Sequence, residues 1–253
     1  RIVEEIKNLM QEYGANHFWM TDDIFGLKPG WIKEFADLVQ EENLRFKFKI
    51  QSRADLLTND NTIAELARAG CESVWMGAES GSQKILDAMD KGITIKQIYD
   101  ASNGLKKAGI KPAFFLQFGY PGEDKSDIQS TLKMIADLKP ADIGVSVSYP
   151  LPGTVFYESV KDKLGDKSNW EDSDELALMF NKDLPKEYYK ILQRFVHRSF
   201  RMKQGKDHFF QMLQSPTSIS KEKLRGSLLF PVHAFYKIVN GYKLNAMDKR
   251  RPL

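Results

Sequence analysis

The stretch Ala113-Phe114-Phe115-Leu116-Gln117-Phe118-Gly119-Tyr120-Pro121-Gly122-Glu123-Asp124 decides the fold. Its first half is an apolar run of strand length. Its second half is a corner: proline presets the first φ of a type II turn and glycine accepts φ > 0 at the second. Ile128, Leu132, Ile135 and Leu138 then recur at the spacing of one helical face. A strand that turns through a tight, side-chain-poor corner into an amphipathic helix is most of a βα unit.

The same unit repeats on both sides. Upstream, Ile2 to Tyr13 reads as an amphipathic helix ended by Gly14, and His17-Phe18-Trp19-Met20 as a short strand leading into Asp22-Asp23. Trp31, Ile32, Phe35, Leu38 and Val39 form a helical face, after which Leu44, Phe46, Phe48 and Ile50 alternate with Arg45, Lys47 and Lys49 as a strand does. Thr62-Ile63-Ala64-Glu65 has the form of a capping box, and Thr94 to Gln97 has it again. Between them, Ser73 to Ala78 is a strand running into Glu79-Ser80-Gly81-Ser82. Downstream, Ile143, Val145 and Val147 alternate in a strand that runs out at Tyr149-Pro150-Leu151-Pro152-Gly153-Thr154. The strand ends near residues 21, 51, 78, 118 and 148 lie 30, 27, 40 and 30 residues apart, the size of βα units with short loops. Right-handed crossovers then put every strand's C-terminal end on one rim. The expected fold is α/β: a partial (β/α)6 TIM-like barrel with a polar mouth, over residues 1–164, followed by a basic α-helical region over residues 165–253.

Composition bounds the rest. With 253 residues, 28% charged and 42% apolar, the chain is one large domain or one domain with an appendage. No run approaches the roughly 18 apolar residues of a membrane span. The single cysteine, Cys71, excludes an internal disulfide framework and any Cys-only cluster site in this chain, and with no signal-peptide pattern it points to a cytoplasmic setting. Cys71 reads as a small buried hydrophobe, and His17, His197, His208 and His233 show no ligand spacing. Residues 182–253 carry 16 Lys and Arg against 5 Asp and Glu, so with +3 overall the first 181 residues sum to −8. A basic tail reads first as a solvated face, and secondarily as a contact for nucleic acid, an anionic membrane surface or an acidic partner. Helical spacing from the first residues, without an initial Met, leads us to expect a piece of something longer.

The ordered corners Asp22-Asp23-Ile24-Phe25, Arg53-Ala54-Asp55, Ala69-Gly70-Cys71, Gly77-Ala78-Glu79-Ser80-Gly81-Ser82, Met89-Asp90-Lys91-Gly92, Phe118-Gly119-Tyr120-Pro121-Gly122-Glu123 and Pro150-Leu151-Pro152-Gly153-Thr154 resemble the radical S-adenosylmethionine (SAM) superfamily, in the branch that often carries a cobalamin-binding domain upstream. The resemblance covers roughly residues 1–160. It implies SAM bound at the rim beside a 4Fe-4S cluster held by a Cys-x3-Cys-x2-Cys loop, and reductive cleavage of SAM to a 5′-deoxyadenosyl radical. It places Asp22 and Asp23 at the SAM amino group, Arg53 near the SAM carboxylate, and Glu79 and Ser80 at the ribose or methionine moiety. Gly119, Pro121, Gly122, Glu123 and the backbone of Tyr149 become adenine-facing corners. The first strand and the three cluster cysteines of that family are missing from this sequence, so the chain alone is expected to be inactive, with the cluster ligands and any cobalamin domain elsewhere. A small-molecule substrate and a reductant protein are the implied partners. Two other readings compete: a non-catalytic barrel that binds a ligand and uses its basic tail for interaction, and a divalent-cation enzyme built on Asp22, Asp23 and Glu79.

Overall fold

The structure, a computed structural model, describes residues 1–59, 61–164, 187–214 and 220–248. Helix α1 (Ile2–Tyr13) precedes β1 (His17–Trp19), α2 (Trp31–Glu41), β2 (Lys47–Ser52), α3 (Ala54–Thr58), α4 (Thr62–Arg68) and β3 (Cys71–Glu79). Then come α5 (Gln83–Ala88), α6 (Ile95–Lys107), β4 (Lys111–Phe118), α7 (Lys125–Leu138), β5 (Asp142–Val147) and α8 (Val155–Val160). Two long helices follow, α9 (Glu187–Gln214) and α10 (Lys221–Asp248). The five strands are parallel and ordered β1-β2-β3-β4-β5, a half-barrel in which each strand pairs with its neighbour in sequence. This is the expected α/β architecture with C-terminal helices.

Contacts group the chain into two compact units. The first holds Arg1–Leu116 with Pro140–Gly144, and the second holds Gln117–Lys139 with the residues from Val145 onward. The expected boundary near residue 165 lies at the start of a stretch outside the described residues. So do the Ser-Pro-Thr-Ser turn at 215–218 and the terminal Lys249 to Pro252.

In the first unit the period-two pattern of β2 buries Phe48, Ile50 and Ser52 and leaves Lys47, Lys49 and Gln51 on the opposite face. Phe48 packs with Phe35 of α2, ring centroids 5.7 Å apart, and with Phe25 at 6.0 Å. Val74, Met76 and Ala78 of β3 continue the buried face with no exposure at all. The other face is half-open. Registers Gln51↔Trp75 and Gly77↔Phe115 line up its residues across three strands, and Trp75 stacks on Phe115 at 4.8 Å.

Three local expectations change. The strand expected from Leu44 begins at Lys47, because the Leu44 N–H still bonds the Val39 carbonyl at 3.0 Å and Asn43 takes a left-handed φ of 52° to leave α2. Thr62 does not form a capping box. It is already the first residue of α4, with Asn61 at the N-cap and no side-chain cap. Helix α3, directly after Arg53, had no signature in the pattern. By contrast, the Thr94–Gln97 capping box is complete, and Gly14 ends α1 at φ 64°.

In the second unit α9 and α10 pack against each other closely at glycines. A Cβ on Gly205 would sit 2.4 Å from the Gly226 carbonyl oxygen, so neither backbone could approach as it does with a larger residue. Lys139, beyond α7, pairs with Asp207 of α9 at 2.7 Å.

Candidate functional site

The corners after β1, β2 and β3 belong to the first unit. After Trp19 the chain stays beside β2: the Met20 N–H bonds the Lys49 carbonyl at 3.0 Å and the Phe25 N–H bonds the Gln51 carbonyl at 2.9 Å. The excursion between these bonds presents Asp22 and Asp23 to solvent. Arg53 follows β2 in extended conformation. Its Nε donates to Asp55 Oδ1 at 3.0 Å and its Nη2 donates to the Lys91 carbonyl at 2.8 Å. The guanidinium is therefore anchored, with one third of its side chain exposed.

The end of β3 is unusual. A register shift falls between Gly77 and Glu79, and Glu79 holds a left-handed φ of 55°, a conformation that costs a non-glycine residue about 1 kcal/mol or more. The Ser80 N–H closes onto the Ala78 carbonyl at 2.6 Å, and the fully buried Ser80 Oγ accepts from the Ser82 N–H at 3.2 Å. The strain aims the Glu79 carboxylate back over the strand: its Oε1 lies 3.1 Å from where a Gly77 Cβ would stand, on the half-open face, and receives the Lys91 ammonium at 2.9 Å. Lys91 thus ties two corners together, its carbonyl to Arg53 and its ammonium to Glu79. Within Met89-Asp90-Lys91-Gly92 nothing in the sequence singles out Lys91. The left-handed φ of Asp90 (52°) and Gly92 (64°) on either side of Lys91 are what turn it inward.

The corners after β4 and β5 belong to the second unit. Tyr120 to Glu123 forms the expected type II turn, with Gly122 at φ 85° and the Glu123 N–H on the Tyr120 carbonyl at 3.0 Å. Glu123 folds back so that its Oε2 accepts the Gly119 N–H at 2.5 Å, where Gly119 has φ 83°. Asp124 then caps α7 in a full capping box with Asp127, which lacks the Ser/Thr-x-x-Glu form that marks such a box in sequence. The Ser148 N–H bonds the Phe118 carbonyl at 2.8 Å, so the two strand exits run side by side. Tyr149 is partly exposed beyond it. Pro152-Gly153 repeats the turn, with the Thr154 N–H on the Leu151 carbonyl at 3.1 Å. Tyr120 stacks on Phe156 at 4.8 Å.

Two features test what these residues can hold. In the first unit Ser52 Oγ at the end of β2, and in the second unit Ser148 Oγ beyond β5, are each buried without a hydrogen-bond partner. Carboxylates at Asp22, Asp23 and Glu79 suit a ligand bearing ammonium and hydroxyl donors. A 4Fe-4S cluster does not fit. Cys71, the one cysteine, is buried at the start of β3, about 26 Å along the strand from Glu79, and burial pushes its thiol up to about 12. A hard-cation site does not form either: among the described residues no three His, Cys, Asp or Glu side chains gather. A cavity of about 650 Å³ lined by Asn16, His17, Arg45, Lys47 and Glu72 lies at the opposite, N-terminal end of the strands. There Glu72 is held below the usual carboxylate range, chiefly by its hydrogen bond from Lys111 at 3.0 Å.

Five parallel strands in sequential order, each followed by a corner of the kinds described, define a half-barrel class. The family model described as "Radical SAM superfamily" matches residues 1–135, and the chain belongs to that superfamily. It is 29% identical over 171 residues to an uncharacterized methyltransferase of Pyrococcus horikoshii, covering 67% of this chain and 37% of that protein. It resembles the cobalamin-dependent S-adenosylmethionine radical enzyme OxsB with aqua-cobalamin bound (TM-score 0.63, 16% identity, 95% of this chain and 42% of that one). It also resembles the radical S-adenosylmethionine methyltransferase TsrM from Kitasatospora setae with cobalamin and [4Fe-4S] cluster bound (TM-score 0.56, 20% identity, 67% of this chain and 32% of that one). The chain thus spans about a third to two fifths of the length of these proteins. No helix among the described residues is long and apolar enough to cross a membrane.

Proposed function

We propose that this chain supplies the SAM-holding rim of a radical SAM methyltransferase, working with a 4Fe-4S cluster ligated outside these 253 residues and with cobalamin as methyl carrier. The observation that carries the reading is Glu79: a non-glycine residue kept in left-handed conformation, its carboxylate folded back over the half-open face of β3 and steadied by Lys91. Backbone strain of this kind persists where the surrounding structure demands it, and it concentrates at ligand sites.

In this reading Glu79 accepts hydrogen bonds from the ribose hydroxyls, Asp22 and Asp23 attract the amino group, and the anchored Arg53 faces the carboxylate. Ser80 sits behind Glu79 and fixes its turn. Gly119, Pro121, Gly122 and Tyr149 offer backbone to the adenine, with Glu123 bracing their loop. When bound beside a reduced cluster, SAM is the source of the radical or methyl group. The chain's own residues orient it and exclude water. Methyl transfer is favoured over methylthiolation or cyclisation because the Pyrococcus relative and TsrM are both named as methyltransferases.

The test is SAM titrated into the chain and followed by saturation-transfer NMR. We expect saturation of ribose and methionine protons in the wild type and its loss in Glu79→Ala, with unchanged circular dichroism. Equal saturation in both proteins would overturn the assignment.

A further inference from the structure

The α9–α10 hairpin carries a surface that the SAM reading does not use. Helix α10 meets α9 through one side only: Gly226 against Gly205, Gly241 against Phe195, and His233 Nδ1 2.9 Å from Arg198 Nη1. At about 100° per residue, Leu224, Leu228, Val232, Phe235 and Tyr242 fall within an arc of about 80° on the opposite side, and Ile238 widens it to about 120°. Their exposure confirms the geometry: Leu228 69%, Phe235 62%, Ile238 69% and Tyr242 81%. A contiguous stripe of that length, nearly three turns between Leu228 and Ile238, exceeds what scattered surface apolar residues explain and marks a contact surface.

Charge selects the occupant. From Lys223 to Met247 there is no Asp or Glu, and Arg225 and Lys243 stand about 60° from the centre of the stripe, alongside it. A second copy laid on this face would set cations against cations with no acid to answer them, and a coiled-coil seam would be narrower than this arc. A nucleic acid would need polar or cationic groups where Leu228 and Phe235 stand. An aromatic and aliphatic stripe with Arg225 and Lys243 along one edge, on a helix unable to span a bilayer, fits a helix lying in the headgroup region of an anionic membrane.

We propose that α10 docks this chain on anionic lipid surfaces, with Leu228, Phe235 and Tyr242 entering the acyl boundary and Arg225 and Lys243 meeting the headgroup phosphates.

Flotation of the chain with vesicles of phosphatidylcholine and phosphatidylglycerol, against phosphatidylcholine alone, tests it. The chain should float with the anionic vesicles and far less with the neutral ones, and release as salt is raised. Leu228→Glu with Phe235→Glu should abolish flotation, and both side chains are exposed, so the fold should hold by circular dichroism. Should that double variant unfold, Arg225→Gln with Lys243→Gln serves, weakening binding about fivefold for each cation removed. Absence of flotation overturns the proposal. So does a concentration-dependent dimer that the apolar double variant dissolves, or binding to an RNA oligonucleotide in place of vesicles.

Discussion

Glu79 and Glu123 both lie at strand exits, the first as the last residue of β3 and the second in the corner after β4, and do opposite things. Glu123 turns inward and its Oε2 closes its own loop on the Gly119 N–H. Glu79 takes a left-handed backbone and folds its carboxylate back over β3 on the half-open face, largely buried, with Lys91 as partner. The first carboxylate stabilises a corner. The second sits on a strained corner and, in the proposed reading, serves as an acceptor for the ligand. The identity of a residue at a strand end therefore does not reveal its role; the backbone conformation beneath it does.

The difference can be broken by mutation. The largest expected effect is Glu123→Ala, which removes a charged acceptor from a backbone N–H and should lower unfolding free energy by about 2 kcal/mol, read from the urea midpoint. A loss below a few tenths would mean that the Pro121–Gly122 turn holds Gly119 without it. Glu79→Gly should act in the other direction, raising stability by about 1 kcal/mol because glycine accepts φ 55° freely, while SAM binding falls. Destabilisation there would mean that the Lys91 contact, and not a ligand, sets the conformation of Glu79.

The barrel was legible because its signals are local. Strand ends expected near residues 21, 51, 78, 118 and 148 fall at Trp19, Ser52, Glu79, Phe118 and Val147, each within two residues. Alternation and Pro-Gly punctuation are written in neighbouring residues and need no tertiary information. The Arg53–Lys91–Glu79 linkage was not legible, because it joins residues 38 and 12 positions apart through a carbonyl and an ammonium that only the folded turn at Asp90 and Gly92 brings inward. Nor did the sequence separate Glu79 from Glu123: both come after an apolar run and both lie within two residues of a glycine. Composition announced the basic character of the tail, but its apolar stripe emerged only once α9 had claimed the opposite side of α10.

The most direct test is SAM affinity measured in parallel for the wild type, Glu79→Gln and Glu123→Gln, each corrected for the fraction folded. Neutralising Glu79 should weaken binding at least about tenfold, the worth of a charge-assisted hydrogen bond, while Glu123→Gln, whose amide oxygen can still accept the Gly119 N–H and keep the loop braced, should leave it within about twofold. Equal losses at both positions, or none at Glu79, would contradict the account.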